Sequence, residues 1–339
     1  MLNDRRRAVL SALVEEYIRS AQPVASKALT ERYQLGCSSA TVRSDLAALE
    51  ETGFLYQPHV SAGRIPTDAG YRVFVDGLAE RRVTAGLTTQ EVDAIHRYYV
   101  ALEREIDDVM RETSALLSRL THNVSLVVAP TMRGARIRRI NVVPMGGGRA
   151  LVLVVTDTGR VADRHAELAS PLAAEDATAV EAFLNERLEN RRAADARTLR
   201  QELASREGMA IPVAMLDEIV DCLDEADEAR LYHAGMAALL AQPEFSDSGR
   251  VRPFVALLED GLEVLQMVSD FVHTEGTIVR IGRENALSQL GGMSVVASAY
   301  GSGDDEGIVG LIGPMRMDYS RAITAVRCVA ESLASTLSA

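Results

Sequence analysis

The segment SSATVRSDLAALEETGFLYQPHVSAGRIP, residues 38–66, admits few folds. Leu46 and Leu49 fall within about 40° of Val42 at helical spacing, which makes one buried stripe. Ser38 or Ser39 caps this helix, it runs to Thr52, and Gly53 stands where a helix-ending glycine belongs. Phe54-Leu55-Tyr56 then reads as a short strand, followed by a loop over residues 57–67. Upstream, Leu10, Leu13, Val14, Tyr17 and Ile18 give residues 4–20 a single apolar helical face. Pro23 breaks that helix, Ser26 caps a second one over residues 27–34, and Gly36 supplies the turn. Three helices with a tight turn before the third, then strand, loop and strand, is the order of a winged helix-turn-helix. A generic three-helix unit satisfies the helices alone; the strand and loop favour the winged form.

The third helix dresses its outer side lightly. Ala40, Ser44 and Ala47 point away from the stripe, with Thr41 and Arg43 on the flanks. Small residues let a helix backbone sink into the major groove, about 12 Å wide, where Thr41, Arg43 and Ser44 reach phosphates or base edges. Ser38 and Ser39 stand at the N-terminus, whose free N–H groups suit a phosphate. An ordinary solvated face would carry more Lys and Glu near its start. In the following loop, Gly63 permits a bend and Pro66 stiffens the exit, so Arg64 is expected to be held out toward a narrow minor groove. An Arg64–Asp68 ion pair is the structural alternative.

Charge restricts any DNA contact to this end. The chain has 339 residues and a formal net charge of −12. Residues 1–82 carry 11 basic and 10 acidic side chains, whereas the other 257 carry 25 and 38, an acidic body that repels phosphate. No apolar run reaches the roughly 18 residues of a membrane span. Glu15 and Glu16 interrupt the first apolar stretch, so a signal peptide is not expected and a cytoplasmic location is. Cys37, Cys222 and Cys328 lie far apart and form no CxxC pair, and the histidines are scattered, so neither a disulfide framework nor a metal site is expected. No cofactor is expected.

Beyond residue 82, Thr88 and Glu91 make a capping box. Val92, Ile95, Tyr99, Leu102, Ile106, Val109, Thr113, Leu116 and Leu120 then alternate at three and four residues, a heptad seam able to pair two subunits or to lie along its own domain. Strand patterns follow at 123–130, 136–145 and 149–168. Gly146-Gly147-Gly148 lacks the Lys-Ser/Thr of a phosphate loop and reads as a hairpin turn. Residues 172–242 are helical in pattern, another amphipathic helix follows at 252–271, strands return near 277–314, and a last helix covers 319–337. Strands, a helical block and strands again suggest an α/β domain with a helical insertion. Asp304, Asp305 and Glu306 cluster, and Ser61 sits near a glycine, but no nucleophile–base pair accompanies them, so no enzyme is expected.

Residues 38–76 closely resemble the signature of the HrcA family of heat-inducible transcription repressors. Similar segments are GMAALLAQPEF (235–245), IGREN (281–285) and GLIGPMRMDY (310–319). The likeness runs from the first helix to the last and departs at Ser44, where the family has Asn. It implies an α+β multidomain chain: a winged-helix DNA-binding domain (1–82), a helical linker with a possible coiled-coil seam (83–122), a GAF-like α/β domain (123–171 and 251–339), and an inserted helical dimerising domain (172–250). It further implies a homodimer on double-stranded DNA at an inverted repeat, the CIRCE element, with the GroEL chaperonin keeping the repressor active until heat stress. A metabolite-responsive regulator, with Tyr300 or Arg280 in a GAF-like pocket, is the alternative.

Overall fold

Helix α1 (Asp4–Ser20) opens under an Asn3 cap that accepts from the Arg6 N–H at 2.9 Å and ends where Ala21 turns left-handed, φ 53°. Helices α2 (Ser26–Arg32) and α3 (Ser39–Glu51) follow, then strands β1 (Leu55–Tyr56) and β2 (Ile65–Pro66), paired antiparallel, and helix α4 (Asp68–Glu80). Ser26 is the first residue of α2 and caps nothing; Ala25 holds the N-cap position without a side-chain bond. Leu10, Leu13, Leu29, Val42, Leu46, Leu49 and Leu55 are fully or almost fully buried. Each contributes about 1.5–3 kcal/mol by leaving water, which is what holds so small a unit together. This computed structural model describes residues 2–80, 86–100, 106–130, 136–157, 161–206, 208–226, 230–245, 248–269, 276–301 and 306–337. Leu102, Asp304 and Asp305 lie outside the described residues.

The heptad seam is spent within the chain. Helices α5 (Thr89–Val100) and α6 (Ile106–Thr121) do not run on as one rod: the Tyr99 hydroxyl lies 2.7 Å from Thr113 Oγ1, and Tyr98 bonds Glu112. One straight helix would hold residues fourteen apart about 21 Å from each other. Ile95, Tyr99, Ile106, Val109 and Thr113 are buried in the chain's own core, so they form no exposed coiled-coil stripe.

Strand β3 (Val124–Val128) comes next, but the hairpin strands β4 (Ile137–Gly146), β5 (Arg149–Thr156) and β6 (Val161–Glu167) do not join it. They form a separate three-stranded antiparallel sheet whose buried face packs on helices α7 (Ala174–Leu188), α8 (Ala193–Leu203) and α9 (Ala210–Ala226). The region expected to be wholly helical then yields strand β7 (Leu231–Ala234), which pairs with β3. Helices α10 (Met236–Leu240), α11 (Ser248–Asp260) and α12 (Leu262–Ser269), strands β8 (Thr277–Ile281), β9 (Met293–Tyr300) and β10 (Gly307–Pro314), and helix α13 (Tyr319–Leu337) complete the chain. The main sheet is antiparallel throughout, in the order β7-β3-β10-β9-β8. Val127, Val296, Val309 and Leu311 face the α5, α6 and α13 side, while Val124, Leu126, Val295 and Ile312 meet Phe254 and Leu257 of α11 on the other.

The strand patterns at 136–145 and 149–168, expected in one α/β domain with 123–130, therefore form a sheet of their own. Asn185 on α7 fixes that unit's sheet to its helices. Its amide donates to the Ile140 carbonyl at 2.7 Å and accepts the Ile140 N–H at 2.9 Å. Asn185→Leu leaves both backbone groups buried and unpaired, and should lower unfolding stability by about 2–3 kcal/mol in urea denaturation.

Candidate nucleic-acid interface

Helix α3 is built from its cap outward. The Ser38 Oγ accepts the Thr41 N–H at 3.2 Å and sits 2.9 Å from Thr41 Oγ1. Ser39 Oγ lies 3.4 Å from Ser26 Oγ of α2, which closes the turn between the two helices. Val42, Leu46 and Leu49 are completely buried, as the stripe requires. Ala40, Arg43 and Ser44 are exposed, and Thr41 and Ala47 half-buried, so the structure gathers Ser38, Ser39, Thr41, Arg43, Ser44 and Ala47 on or beside one lightly dressed face. No acid stands in the first turn of α3, which leaves the positive end of the helix dipole uncompensated. Lys27, 81% exposed on α2, adds a cation close to that end.

Asp45 escaped the sequence reading. It is 2% exposed, on the buried side of α3, and accepts from Arg5 Nε at 2.7 Å, Arg5 Nη2 at 3.1 Å and Arg6 Nε at 3.3 Å. The hydrogen bond from Arg5, opposed by burial and supported by Arg6, holds the carboxyl below the usual carboxylate range. The pairing ties the start of α1 to α3 and keeps two half-exposed guanidiniums beside the candidate face. An acid on the apolar stripe, with Arg5-Arg6-Arg7 at the chain start, was the available signal.

Arg64 is not held out. Its backbone forms an antiparallel bridge with Val24, N–H to carbonyl at 2.9 Å in both directions. Its guanidinium turns back to Glu50 on α3 at 3.0 Å, with 17% of the side chain exposed. The partner is Glu50 rather than Asp68. Gly63 serves close approach rather than a bend: a Cβ there would lie 2.5 Å from the Val24 carbonyl carbon and 2.6 Å from the Pro23 carbonyl oxygen. Packing of this stretch against the α1–α2 connection is what draws Arg64 inward. The tip comes earlier, where Gln57 Nε2 donates to the carbonyls of Ala62 at 2.6 Å and Val60 at 3.0 Å. That brace presents His59, Ser61 and Val60, the last 98% exposed.

Among the described residues no group of His, Cys, Asp and Glu is arranged to hold a metal ion, and no helix is long and apolar enough to cross a membrane. Tyr300 is buried and donates to the Val128 carbonyl at 2.9 Å, so its hydroxyl serves the core; Arg280 is half-buried on β8.

Residues 107–323 match the family described as HrcA protein C terminal domain. Heat-inducible transcription repressor HrcA of a Nocardioides species is 38% identical over 346 residues, covering 99% of each chain. The protein of the same name from Frankia casuarinae is 39% identical over the whole of both chains, and that from Moorella thermoacetica 37% identical over 99% and 98%. A solved structure described as a hypothetical protein at 2.2 Å resolution superposes with a TM-score of 0.67 at 27% identity, over 99% of this chain and 100% of that one.

Proposed function

The chain belongs to the HrcA family of heat-inducible transcription repressors, and from that premise we propose that residues 4–66 are a winged helix-turn-helix unit that reads double-stranded DNA with α3. The observation that carries this reading is the outer face of α3, where Ala40, Ser44 and Ala47 leave Arg43 as the one long exposed side chain of its first two turns. Thr41, Arg43 and Ser44 address base edges or phosphates in the major groove. Ser38, Ser39, Arg5, Arg6 and Lys27 serve the flanking backbone, and the Gln57–Ala62 tip takes the place first given to Arg64.

Behind this unit, the five-stranded sheet and its helices are read as the GAF-like domain, with residues 136–226 as its insertion. The protein acts as a homodimer through the uncovered face of the β4–β6 sheet. Val143 and Val161 are exposed there at 45% and 62%, beside half-buried Leu151, Leu153 and Val155, on the side away from α7–α9. This sheet face, on which Asn141, Asp163 and His165 stand among the apolar side chains, buries itself against a two-fold copy. A two-fold dimer matches an inverted repeat, the CIRCE element of this proposal. Dependence on GroEL belongs to it too, supported by the resemblance of residues 38–76.

The test is an anisotropy titration on an inverted-repeat duplex against a scrambled duplex of equal length. The parent protein should prefer the repeat, and equal affinity for both would sink the reading. Arg43→Ala should weaken repeat binding by about 1–3 kcal/mol if the guanidinium reads a base. An equal loss on both duplexes reassigns it to a phosphate.

A further inference from the structure

We propose that Arg72 and Glu284 are positioning residues for operator recognition: their ion pair sets the angle of the α3 unit on the body, and with it the spacing between the two α3 helices of a dimer. The inference rests on the DNA-binding and dimer readings above, and it concerns a joint that touches no DNA.

The joint lies where four separate segments meet. Helix α4 is tied to the reading unit at its start. Thr67 before it bonds back to Phe54, N–H to carbonyl, at 3.0 Å, and to the Gly53 carbonyl through its hydroxyl at 2.7 Å. Tyr71 is 1% exposed in the shared core, its ring centroid 5.9 Å from that of Tyr319 on α13. From the next position on α4, Arg72 Nε donates to Glu284 Oε1 at 2.9 Å and Nη2 to the Val279 carbonyl at 2.6 Å, with a second bond to Glu284 Oε2. Glu284 is itself anchored, accepting the Ile281 N–H at 2.9 Å. Beside it, Asp68 accepts the Arg283 N–H at 3.1 Å, and a Cβ on Gly282 (φ 53°) would run into that carboxylate.

A second post stands apart from the first. Arg316, 17% exposed, holds Glu244 through two bonds and reaches toward the Ile18 carbonyl of α1 at 3.4 Å. Two posts on different elements of the reading unit resist rotation about more than one axis. The segments 68–76, 235–245, 281–285 and 310–319, dispersed along the sequence and without a role in DNA contact, thus converge on one function. The proposed dimer face lies on the β4–β6 sheet, so the relation between two α3 helices passes through this joint. A rigid spacing that fits adjacent turns of duplex, about 34 Å apart, makes the second half-site nearly intramolecular.

Anisotropy titrations compare three duplexes: the full inverted repeat, a single half-site, and the repeat with its spacer lengthened by two base pairs. Arg72→Glu, Glu284→Arg, the milder Glu284→Gln and the double exchange Arg72→Glu/Glu284→Arg are each measured against the parent. The single variants should lose about tenfold or more on the full repeat, keep half-site affinity within about twofold, and discriminate less against the lengthened spacer, while the double exchange, which restores the 72–284 ion pair but not the bonds to Val279 and Ile281, recovers part of the loss. The proposal is overturned if full-repeat and half-site affinity fall together, if Glu284→Gln behaves as the parent, or if the exchange binds the full repeat no better than Arg72→Glu or Glu284→Arg alone. A parent that binds neither duplex defeats the DNA reading, and one that binds repeat and half-site equally defeats the dimer reading; the joint falls with either. A parent that prefers the repeat beside variants that do the same defeats the joint alone.

Discussion

Ser44→Glu is expected to lower operator affinity by at least about a hundredfold, roughly 3 kcal/mol, with no measurable loss of stability. Ser44 is exposed near the middle of α3, on the same side as Ala40 and Ala47. Glutamate is a good helix former, so the free protein tolerates it. In the complex the new carboxylate would lose its water and face the phosphate-lined groove, and like charges brought together at an interface cost several kcal/mol. Ser44→Ala is the companion: it removes one hydroxyl without adding charge, so its loss should be far smaller. Thermal melting of the free variants checks the fold, and anisotropy on the inverted repeat reads the affinity. Near-parental binding by Ser44→Glu would show that this face of α3 does not meet DNA.

Asp45→Ala should destabilise the protein by about 2–3 kcal/mol at neutral pH. Removing one partner of a buried ion pair ordinarily costs 3–5 kcal/mol. Here Arg5 and Arg6 keep 52% and 38% of their side chains in water, so the lower figure applies. The effect has a definite pH signature. The Asp45 carboxyl is held below its ordinary value, chiefly by the hydrogen bond from Arg5. Its contribution is therefore complete above the unfolded carboxylate value, about 3.9, and is lost as pH falls through the folded value. Urea denaturation of parent and variant should give stabilities that differ most at pH 6–7 and converge below about pH 4. A gap that stays constant to pH 3 would mean that Asp45 acts through packing rather than through its charge.

The two variants probe opposite sides of one helix, and the sequence revealed those sides unequally. Val42, Leu46 and Leu49 announce the buried stripe through spacing alone, because an amphipathic helix has no other place for three such residues. The small outer face follows by subtraction. Asp45 did not follow, since its partners Arg5 and Arg6 stand about forty positions away and nothing local distinguishes a solvated aspartate from one held by two arginines. Arg64 shows the converse. Gly63 and Pro66 suggested a stiff projecting loop, but the backbone bridge to Val24 decides which way that loop faces, and the bridge is a long-range pairing.

The body repeats this pattern. Alternating hydrophobicity predicted the β4–β5 hairpin and its glycine turn correctly, because strand period and turn chemistry are local. It could not assign the hairpin to a sheet. β3 and β4 are separated by few residues, yet β3 pairs with β10 and β7, whereas β4 pairs with β5 alone. The heptad pattern over α5 and α6 was real, but its apolar positions are buried in the core that both helices share with α13.

By itself, the sequence determined helix α3, its cap and buried stripe, the turn before it, the first strand after it, the acidic body and the family likeness, while the second strand, Ile65–Pro66, fell inside the expected loop. Each of these is set by neighbours within a few turns of chain or by composition. Tertiary structure alone decided where Arg64 points, what Asp45 holds, which strands share a sheet, and how segments 68–76, 235–245, 281–285 and 310–319 meet around Arg72 and Glu284. Those outcomes depend on the ends of long loops coming together, and the free energy that selects one closure over another resides in contacts between residues that no sequence window contains.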